Sequence, residues 1–299
     1  SVASPRRLII LILAIFLGGG IPLVIVLGRR IFTDRIFTVE EIKRYSKIPH
    51  VGAIPRKISD FSNVVINNPR SYEAEAFHSV KGNLIYYSYG KKKSVILITS
   101  LIPGEGKSFT SINLASSFAV NSKTVLVEFD LRRPSKLYKE FGTNVLVGVS
   151  SYLINRATLD EIIIPTEVPN LDVIRAGEVP PNPVALLSSE RTGEFIRELK
   201  EKYDYIIVDT PPYGLVSDPF LLMNYADLKI IISRLGVINR KTFRHHIDSI
   251  ESKDIDNLFM LVNDLNKFKE SYVKYGYSDY LDTKKTGLAA VGSMFKKNK

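Results

Sequence analysis

The stretch that decides the fold is "SVILITSLIPGEGKSFTSINLASSFAV", residues 94–120. It begins with an apolar, β-branched run, "SVILITS", which predicts a strand buried on both faces of a sheet. It ends with "SFTSINLASSFAV", whose apolar side chains have the spacing of a helix. A turn with two glycines, "LIPGEG", separates the two. A strand, a glycine turn and a helix in this order predict the first unit of an α/β fold.

The same alternation of strands and helices continues along the chain. Helices are predicted at 183–202 and 239–252, and further strands at "TVLVEFD" (124–130), "YDYIIVDT" (203–210), "LKIIISRL" (228–235) and "LFMLVND" (258–264). This alternation predicts a doubly wound, mostly parallel sheet with helices on both faces. Ligands bind such sheets at the carboxyl ends of the strands.

The glycine turn has the features of a phosphate-binding loop (P-loop, or Walker A motif). Gly104 and Gly106 let backbone N–H groups turn toward phosphates, and the helix that follows adds its positive N-terminal end. Lys107 is placed to reach the β- and γ-phosphates of a nucleotide, and Ser108 to bind Mg²⁺. The usual pattern starts with a glycine six residues before the lysine, where this chain has Leu101. The alternative is a glycine turn without a ligand.

Acidic side chains follow two of the predicted strands. Asp209 ends one strand, and Glu128 and Asp130 end another. Because Glu128 and Asp130 are two residues apart on an extended segment, we expect both to face the same way. Carboxylates beside a phosphate site can organise Mg²⁺ and accept a proton. The alternative is that these acids are simply solvated.

The N-terminal part contains a candidate membrane segment. Residues 8–28 are uncharged, and about twenty apolar residues span a bilayer as a helix. A secretory signal peptide usually has a shorter apolar region, and a buried core helix is the other alternative. More Arg and Lys residues follow this segment than precede it, which predicts a cytoplasmic C-terminal part.

Composition narrows the classes of function. The chain has no cysteine, which excludes disulfides and thiolate metal sites. Its net charge of +10 favours an acidic partner: nucleotide phosphates, nucleic acid or an anionic membrane surface. Its tail, residues 267–299, loses the apolar periodicity and holds a cluster of four tyrosines: Tyr272, Tyr275, Tyr277 and Tyr280.

Together these motifs resemble the bacterial tyrosine kinases (BY-kinases) of capsule and exopolysaccharide production. The resemblance rests on "PGEGKS" (103–108), "VLVEFDLR" (125–132), "IIVDTPP" (206–212), "AGEVPPNPVALLSS" (176–189) and the tyrosine-rich tail. The connector after the apolar segment resembles the chain-length-determinant half of the fused form, which implies a periplasmic domain ahead of Ser1. Partition and septum-site ATPases share the fold, but they carry a signature lysine where this chain has Ile102.

The resemblance implies a membrane-anchored, non-specific protein-tyrosine autokinase that regulates polysaccharide chain length and export. Expected cofactors are ATP and Mg²⁺. Catalytic residues would be Lys107, Glu128, Asp130 and Asp209, with Glu128 accepting or orienting the tyrosine proton. Metal ligands would be Ser108, Asp130 and Asp209. Nucleotide would contact Gly104, Glu105, Gly106, Lys107, Ser108, Phe109 and Asn263. The tail tyrosines would be phosphoacceptors, phosphorylated in trans.

Three departures from the family pattern bear on this interpretation, one of which is that the tail has four clustered tyrosines, fewer than many relatives. Glu128 stands where the family has an aspartate, so its carboxylate reaches farther by one methylene, and small positioning errors can slow catalysis greatly. The family's E-x-x-R-x-x-R assembly motif appears as Glu75, His78 and Lys81, without either arginine. Arginine's bidentate fork is therefore missing from the expected oligomerisation surface.

The expected organisation follows from these motifs. The segments would be a periplasmic juxtamembrane end (1–7), a transmembrane helix (8–28), a cytoplasmic connector (29–60), a P-loop kinase domain (61–266) and a basic tyrosine-containing tail (267–299). The chain would lie in the bacterial inner membrane with its kinase domain in the cytoplasm. Expected partners are a ring-like homo-oligomer, polysaccharide export machinery, a tyrosine phosphatase and membrane lipid, but no nucleic acid. The alternative functions are a membrane-bound ATPase and a catalytically weak chain-length regulator.

Overall fold

A computed structural model describes residues 11, 13–21, 34–57, 62–88, 93–134 and 146–266. Its strands are β1 (His50–Pro55), β2 (Ser94–Ser100), β3 (Thr124–Glu128), β4 (Ile163–Pro165), β5 (Leu171–Ile174), β6 (Tyr205–Asp209), β7 (Leu228–Arg234) and β8 (Leu258–Leu265). Its α-helices are α1 (Val39–Tyr45), α2 (Val64–Asn67), α3 (Tyr72–Tyr87), α4 (Lys107–Ala119), α5 (Val149–Leu153), α6 (Leu159–Ile162), α7 (Pro183–Leu187), α8 (Glu190–Lys202), α9 (Asp218–Met223) and α10 (Arg240–Glu251).

These strands form one sheet in the order β1-β8-β7-β2-β6-β3-β5-β4. Neighbouring strands run parallel, and β4 alone among the described strands pairs antiparallel, with β5. The predicted α/β class with a mostly parallel sheet is therefore confirmed. Parallel order brings the carboxyl ends of β2, β3, β6, β7 and β8 to one edge, where the candidate residues lie.

Alternating side chains of the central strand β2 show how the sheet is buried. Ile96 and Ile98 pack into a core with Phe77 of α3 and Phe118 of α4. Val95 and Leu97 pack on the opposite face, in a core that includes Phe195 of α8. Because helices cover both faces, the four consecutive apolar residues 95–98 of this strand are all buried, as its sequence predicts.

The connector after the predicted membrane segment contributes to this sheet. Thr38 caps α1 by accepting a hydrogen bond from the N–H of Glu41 (3.2 Å), and the Glu41 carboxylate accepts one from the N–H of Phe37 (2.9 Å). After α1, the extended "VGAIP" segment pairs with β8 as the edge strand β1. The register of this pairing shifts twice, between His50 and Gly52 and between Ala53 and Pro55.

Three secondary-structure predictions differ from the structure. Strand β3 stops at Glu128, because the N–H of Leu131 bonds back to the carbonyl of Phe129 (3.0 Å) and turns the chain. The predicted helix 183–202 is two helices, and Ser189 is the N-cap of the second. Strands β4 and β5 were not predicted, since three or four residues are too few for a periodic pattern.

The predicted transmembrane helix, residues 8–28, lies only partly within the described residues, which here include a π-helix at Phe16–Gly20. No helix in the described part of the chain is both long and apolar enough to cross a membrane. The tail with its four tyrosines lies entirely outside the described residues.

Candidate functional site

The phosphate loop connects β2 to α4 with two glycines in left-handed backbone conformations. Gly104 has φ +83° and Gly106 has φ +92°, values that residues other than glycine rarely adopt. Gly106 is the N-cap of α4, and within the described residues no side chain caps this helix. The first N–H groups of α4 are therefore available to an anion, and this fits a nucleotide phosphate.

Asn263, at the end of β8, lies directly against this loop. Its Nδ2 donates to the carbonyl of Glu105 (2.8 Å), and its Oδ1 accepts from the N–H of Asp264 (2.8 Å). A Cβ atom on Gly106 would collide with that Nδ2. The structure thus places Asn263, predicted as a nucleotide contact, where it holds the loop backbone.

Glu105 is the buried residue of the loop. Its carboxylate accepts hydrogen bonds from the N–H groups of Ile102 (2.8 Å) and Arg234 (3.2 Å). Burial raises the pKa of Glu105 to about 7, while these N–H groups and the charge of Lys107 act in the opposite direction. The side chain therefore holds the loop to β7 instead of pointing toward solvent.

The predicted acids gather beside this loop. Strands β3 and β6 are neighbours, and Glu128 pairs with Asp209 in their register. The N–H of Phe129 then donates to the carbonyl of Asp209 (2.8 Å), so the two strand ends stay together. Both acids are buried, at 0% and 2% exposure.

Glu128 and Asp130 have different partners. The Glu128 carboxylate accepts hydrogen bonds from Nε of Arg175 (3.3 Å) and from the N–H of Ala176 (3.2 Å), both just after β5. The Asp130 carboxylate accepts from the N–H groups of Arg132 (3.3 Å) and Arg133 (3.0 Å) in its own turn. The two carboxylates therefore face different surroundings. The expectation that both face the same way is wrong, because β3 ends at Glu128 and the chain turns at Asp130.

Asp130 lies within electrostatic reach of the loop lysine. Burial raises the pKa of Asp130, the two N–H groups of its turn and the positive charge of Lys107 oppose that rise, and the negative charge of Asp218 adds to it. Lys107 and Ser108 are both half-buried at the start of α4. The loop and the acidic turn consequently form one site.

Arg132 connects that acidic turn to α9. Its Nε and Nη2 donate to the two carboxylate oxygens of Asp218, at 2.8 and 3.0 Å. Asp218 is fully buried, so this bidentate pair fixes the turn that carries Asp130.

The predicted metal ligands are Ser108, Asp130 and Asp209. The described residues contain no group of three or more His, Cys, Asp and Glu side chains placed to hold a metal ion. Mg²⁺ in nucleotide sites keeps several waters and binds substrate phosphates through few protein ligands. A hydroxyl at the helix start and one or two carboxylates beside it fit that requirement.

The predicted oligomerisation residues lie on α3. Nδ1 of His78 is 2.8 Å from Oγ of Ser117, and Nζ of Lys81 donates to the carbonyl of Ser117 (2.8 Å). Burial lowers the pKa of Lys81. Glu75 is exposed. Two of the three residues thus bind the end of α4 within the same chain.

Four residues around the site were not predicted from the sequence: Arg175, Asp218, Arg234 and Asp264. Arg234 and Asp264 lie at the ends of predicted strands, and Arg175 follows a strand that was missed. A position at or just after a strand end could have indicated that Arg175, Arg234 and Asp264 lie near the site. Their contacts could not be predicted, because their partners are distant in the sequence.

Comparisons with known proteins identify the family of this chain. Residues 93–258 match the family described as an AAA domain. Tyrosine-protein kinase CpsD of Streptococcus agalactiae is 36% identical over 214 residues, which cover 71% of this chain and 92% of that protein. The chain belongs to the bacterial tyrosine-kinase family. It is similarly 29% identical to tyrosine-protein kinase ptk of Acinetobacter johnsonii over 282 residues, 90% of this chain but only 38% of that protein's length.

Two solved structures, one of them a bacterial tyrosine-kinase domain, have the same fold. The chimerical protein CapA2B2 matches with a TM-score of 0.71 and 29% identity, covering 77% of this chain and all of the other. The kinase domain of the Escherichia coli tyrosine kinase ETK matches with a TM-score of 0.71 and 25% identity, covering 81% of this chain and all of that domain. The family predicted from the motifs is therefore confirmed.

Proposed function

We propose that this chain is a membrane-anchored tyrosine autokinase that transfers the γ-phosphoryl group of ATP to Tyr272, Tyr275, Tyr277 and Tyr280 of a neighbouring copy. The observation that carries the proposal is the juxtaposition of the phosphate loop with three acids: Glu128 and Asp209 at strand ends, and Asp130 in the turn after β3. Membership of a family whose named members are tyrosine-protein kinases supports the choice of tyrosine as acceptor.

Different residues of the chain have different roles in phosphoryl transfer. The N–H groups of the loop and the start of α4 bind the phosphates, and Lys107 stabilises negative charge on the transferred group. Ser108, Asp130 and Asp209 would hold Mg²⁺, which would neutralise phosphate charge when bound. The tyrosine oxygen forms a bond to phosphorus while the bond to the departing ADP oxygen breaks, and Glu128 takes the tyrosine proton.

Membrane attachment belongs to the same proposal. Six large apolar side chains of the described N-terminal residues are between 47% and 73% exposed: Leu11, Leu13, Ile15, Phe16, Leu17 and Ile21. Exposed apolar surface of this kind favours a lipid environment. A transmembrane helix over residues 8–28 would place the kinase domain in the cytoplasm and residues 1–7 in the periplasm.

The proposed role in the cell is control of capsule or exopolysaccharide chain length and export. Each phosphotyrosine adds about 1.5 to 2 negative charges. Phosphorylated tails repel one another, so a ring-like oligomer would disperse and reassemble after a tyrosine phosphatase removes the charges. Anionic lipid and the export machinery are the remaining proposed partners.

A second function, ATP hydrolysis without transfer to tyrosine, is favoured by one contact. Glu128 is completely buried and already binds Arg175 and the N–H of Ala176, so its carboxylate is engaged before a tyrosine arrives. If the chain neither transfers phosphate nor hydrolyses ATP efficiently, it is instead a nucleotide-binding chain-length regulator with weak catalysis.

One experiment separates these functions. The full chain is needed because strand β1 belongs to the sheet. It is incubated with ATP and Mg²⁺, and phosphate is mapped by mass spectrometry, with Lys107→Met as the control. We expect phosphate on the tail tyrosines that disappears in the control. ADP without labelled tyrosine supports the ATPase, and neither product supports the regulator.

Transfer between chains has its own test. A Lys107→Met chain with an intact tail is mixed with an active chain whose four tail tyrosines are changed to phenylalanine. Phosphate on the tail of the Lys107→Met chain demonstrates transfer in trans. An unlabelled tail in this mixture, together with labelling of the unmodified chain alone, contradicts it.

A further inference from the structure

The carboxylate of Asp264 is shared by two arginines at the edge of the phosphate loop. Its Oδ2 accepts a hydrogen bond from Nε of Arg234 (3.0 Å), and its Oδ1 accepts one from Nε of Arg56 (2.6 Å). Asp264 is 8% exposed and has φ +65°, an uncommon conformation for a residue with a side chain. A backbone of this kind persists where the surrounding contacts fix it.

Arg234 carries the contact from Asp264 to the loop. Its Nη1 donates to the carbonyl of Gly104 (3.1 Å), and its backbone N–H donates to the Glu105 carboxylate (3.2 Å). Because the guanidinium group is planar, the bond from Nε to Asp264 also sets the direction of Nη1. The end of β7 therefore holds two successive residues of the loop.

These contacts orient the N–H groups of the loop through the rigidity of the peptide bond. The carbonyl of Gly104 and the N–H of Glu105 lie in one trans peptide plane and point in opposite directions. Arg234 holds that carbonyl, so the N–H of Glu105 is turned away from Arg234. Asn263 holds the carbonyl of Glu105 in the same way, which orients the N–H of Gly106.

We propose that Asp264 is a positioning residue for nucleotide binding. It fixes Arg234, which holds the Gly104–Glu105 peptide so that its N–H is presented to the phosphates. This inference rests on the proposed function, since it takes the ligand of the loop to be a nucleoside phosphate. Asp264 itself touches neither nucleotide nor tyrosine.

The test compares the affinity of the full chain for Mg²⁺·ADP, measured by calorimetry, among matched variants. Removing the charged partner of Arg234 with Asp264→Ala is expected to weaken binding about tenfold. The double variant with Arg234→Ala is expected to bind no more weakly than Arg234→Ala alone, because both changes break the same chain of contacts. Arg56→Ala is the control; its side chain is 62% exposed, and a change below about twofold is expected.

Kinetics distinguish positioning from a general loss of structure. With Asp264→Ala we expect a higher KM for ATP and a kcat within about twofold of the original. If Asp264→Ala does not fold, Asp264→Asn keeps the shape and one acceptor and is expected to show a smaller change in the same direction. Unchanged ADP affinity in a folded variant, or additive losses in the double variant, would overturn the proposal.

Hydrogen exchange without nucleotide separates failure of this inference from failure of the proposed function. In the Asp264→Ala chain we expect faster exchange at the N–H groups of Glu105 and Gly106. Unchanged exchange there overturns the positioning role. If the original chain binds no ADP while exchange still accelerates, the positioning of the loop stands and the nucleotide function fails.

Discussion

Glu128 and Arg175 form an ion pair between the carboxyl ends of two neighbouring strands, β3 and β5, with Nε 3.3 Å from the carboxylate. The Glu128 side chain is fully buried and that of Arg175 is 11% exposed. Water therefore screens this pair poorly, and the carboxylate gains much of its stabilisation from Arg175 and the N–H of Ala176. The same contact determines how freely Glu128 can turn toward another group.

Removing Arg175 should destabilise the fold. Arg175→Ala removes the arginine that pairs with the buried Glu128 carboxylate, and we expect the free energy of unfolding to fall by about 3 kcal/mol. Urea denaturation of the full chain measures the change. The control is Lys202→Ala, which breaks the exposed pair of Lys202 with Asp160 and should cost about 0.5 kcal/mol or less. Equal losses in the two variants would show that burial of the first pair is unimportant.

Shortening Glu128 should increase phosphate transfer to the tail. Glu128→Asp keeps the charge but withdraws the carboxylate from Arg175 by one methylene, and we expect autophosphorylation to rise about tenfold, since positioning errors of about 1 Å can cost more than that. Phosphotyrosine is measured by mass spectrometry at saturating ATP. Mg²⁺·ADP affinity is the control and should not change. An unaltered rate would show that the length of the glutamate does not limit transfer.

Substitution of two glycines by alanine should affect different properties: nucleotide binding at Gly106 and stability at Gly82. Gly106→Ala places a Cβ against Nδ2 of Asn263 and forces a side chain into a left-handed conformation, so we expect Mg²⁺·ADP binding to be lost. Gly82→Ala, in the middle of α3, adds a Cβ with no neighbour within 4 Å. It should raise the free energy of unfolding by about 0.5–1 kcal/mol and leave ADP binding unchanged. Retained binding in Gly106→Ala would contradict the assigned role of the loop.

The buried carboxyl of Glu105 should make stability depend on pH. Its pKa is about 7 in the fold against 4.5 for an unperturbed glutamate, because burial disfavours its charge. The folded chain thus binds the proton more tightly, and the stabilisation from the protonated form is lost as pH rises from 4.5 to 7. Relative to Glu105→Gln, the free energy of unfolding should fall by about 3 kcal/mol across this window.

Denaturation of the chains from about pH 3 to pH 8 tests this, since other titrating groups cancel in the difference and the range extends below the unperturbed glutamate pKa. Glu161→Gln supplies the opposite sign. Hydrogen bonds from Thr158 lower the pKa of Glu161, so its contribution is lost as pH falls below 4.5. A flat difference for Glu105→Gln would mean that its carboxyl remains charged throughout the window.

Local features were predictable from the sequence, and distant contacts were not. The strand, loop and helix around Lys107 are continuous in the sequence, so their spacing predicted this unit. The contact of Arg234 with Gly104 joins residues 130 positions apart. That contact depends on which strands are neighbours in the sheet, and the sequence pattern predicts strands without their order.

Strand β5 shows a second limit of prediction. It has four residues, and Asp172 interrupts its apolar run while accepting a hydrogen bond from the hydroxyl of Tyr203 (2.7 Å). Without β5, nothing in the sequence placed Arg175 near Glu128. The acid was therefore predicted correctly at the strand end, but its partner was missed.

Both outer strands of the sheet discourage fusion with a neighbouring sheet. β1 has two shifts of register and ends in Pro55, and β4 has three residues and ends in Pro165. Short or irregular outer strands that contain proline offer few N–H and C=O groups in line for a foreign strand. Copies of this chain that come into contact are therefore expected to separate again without growing into fibrils.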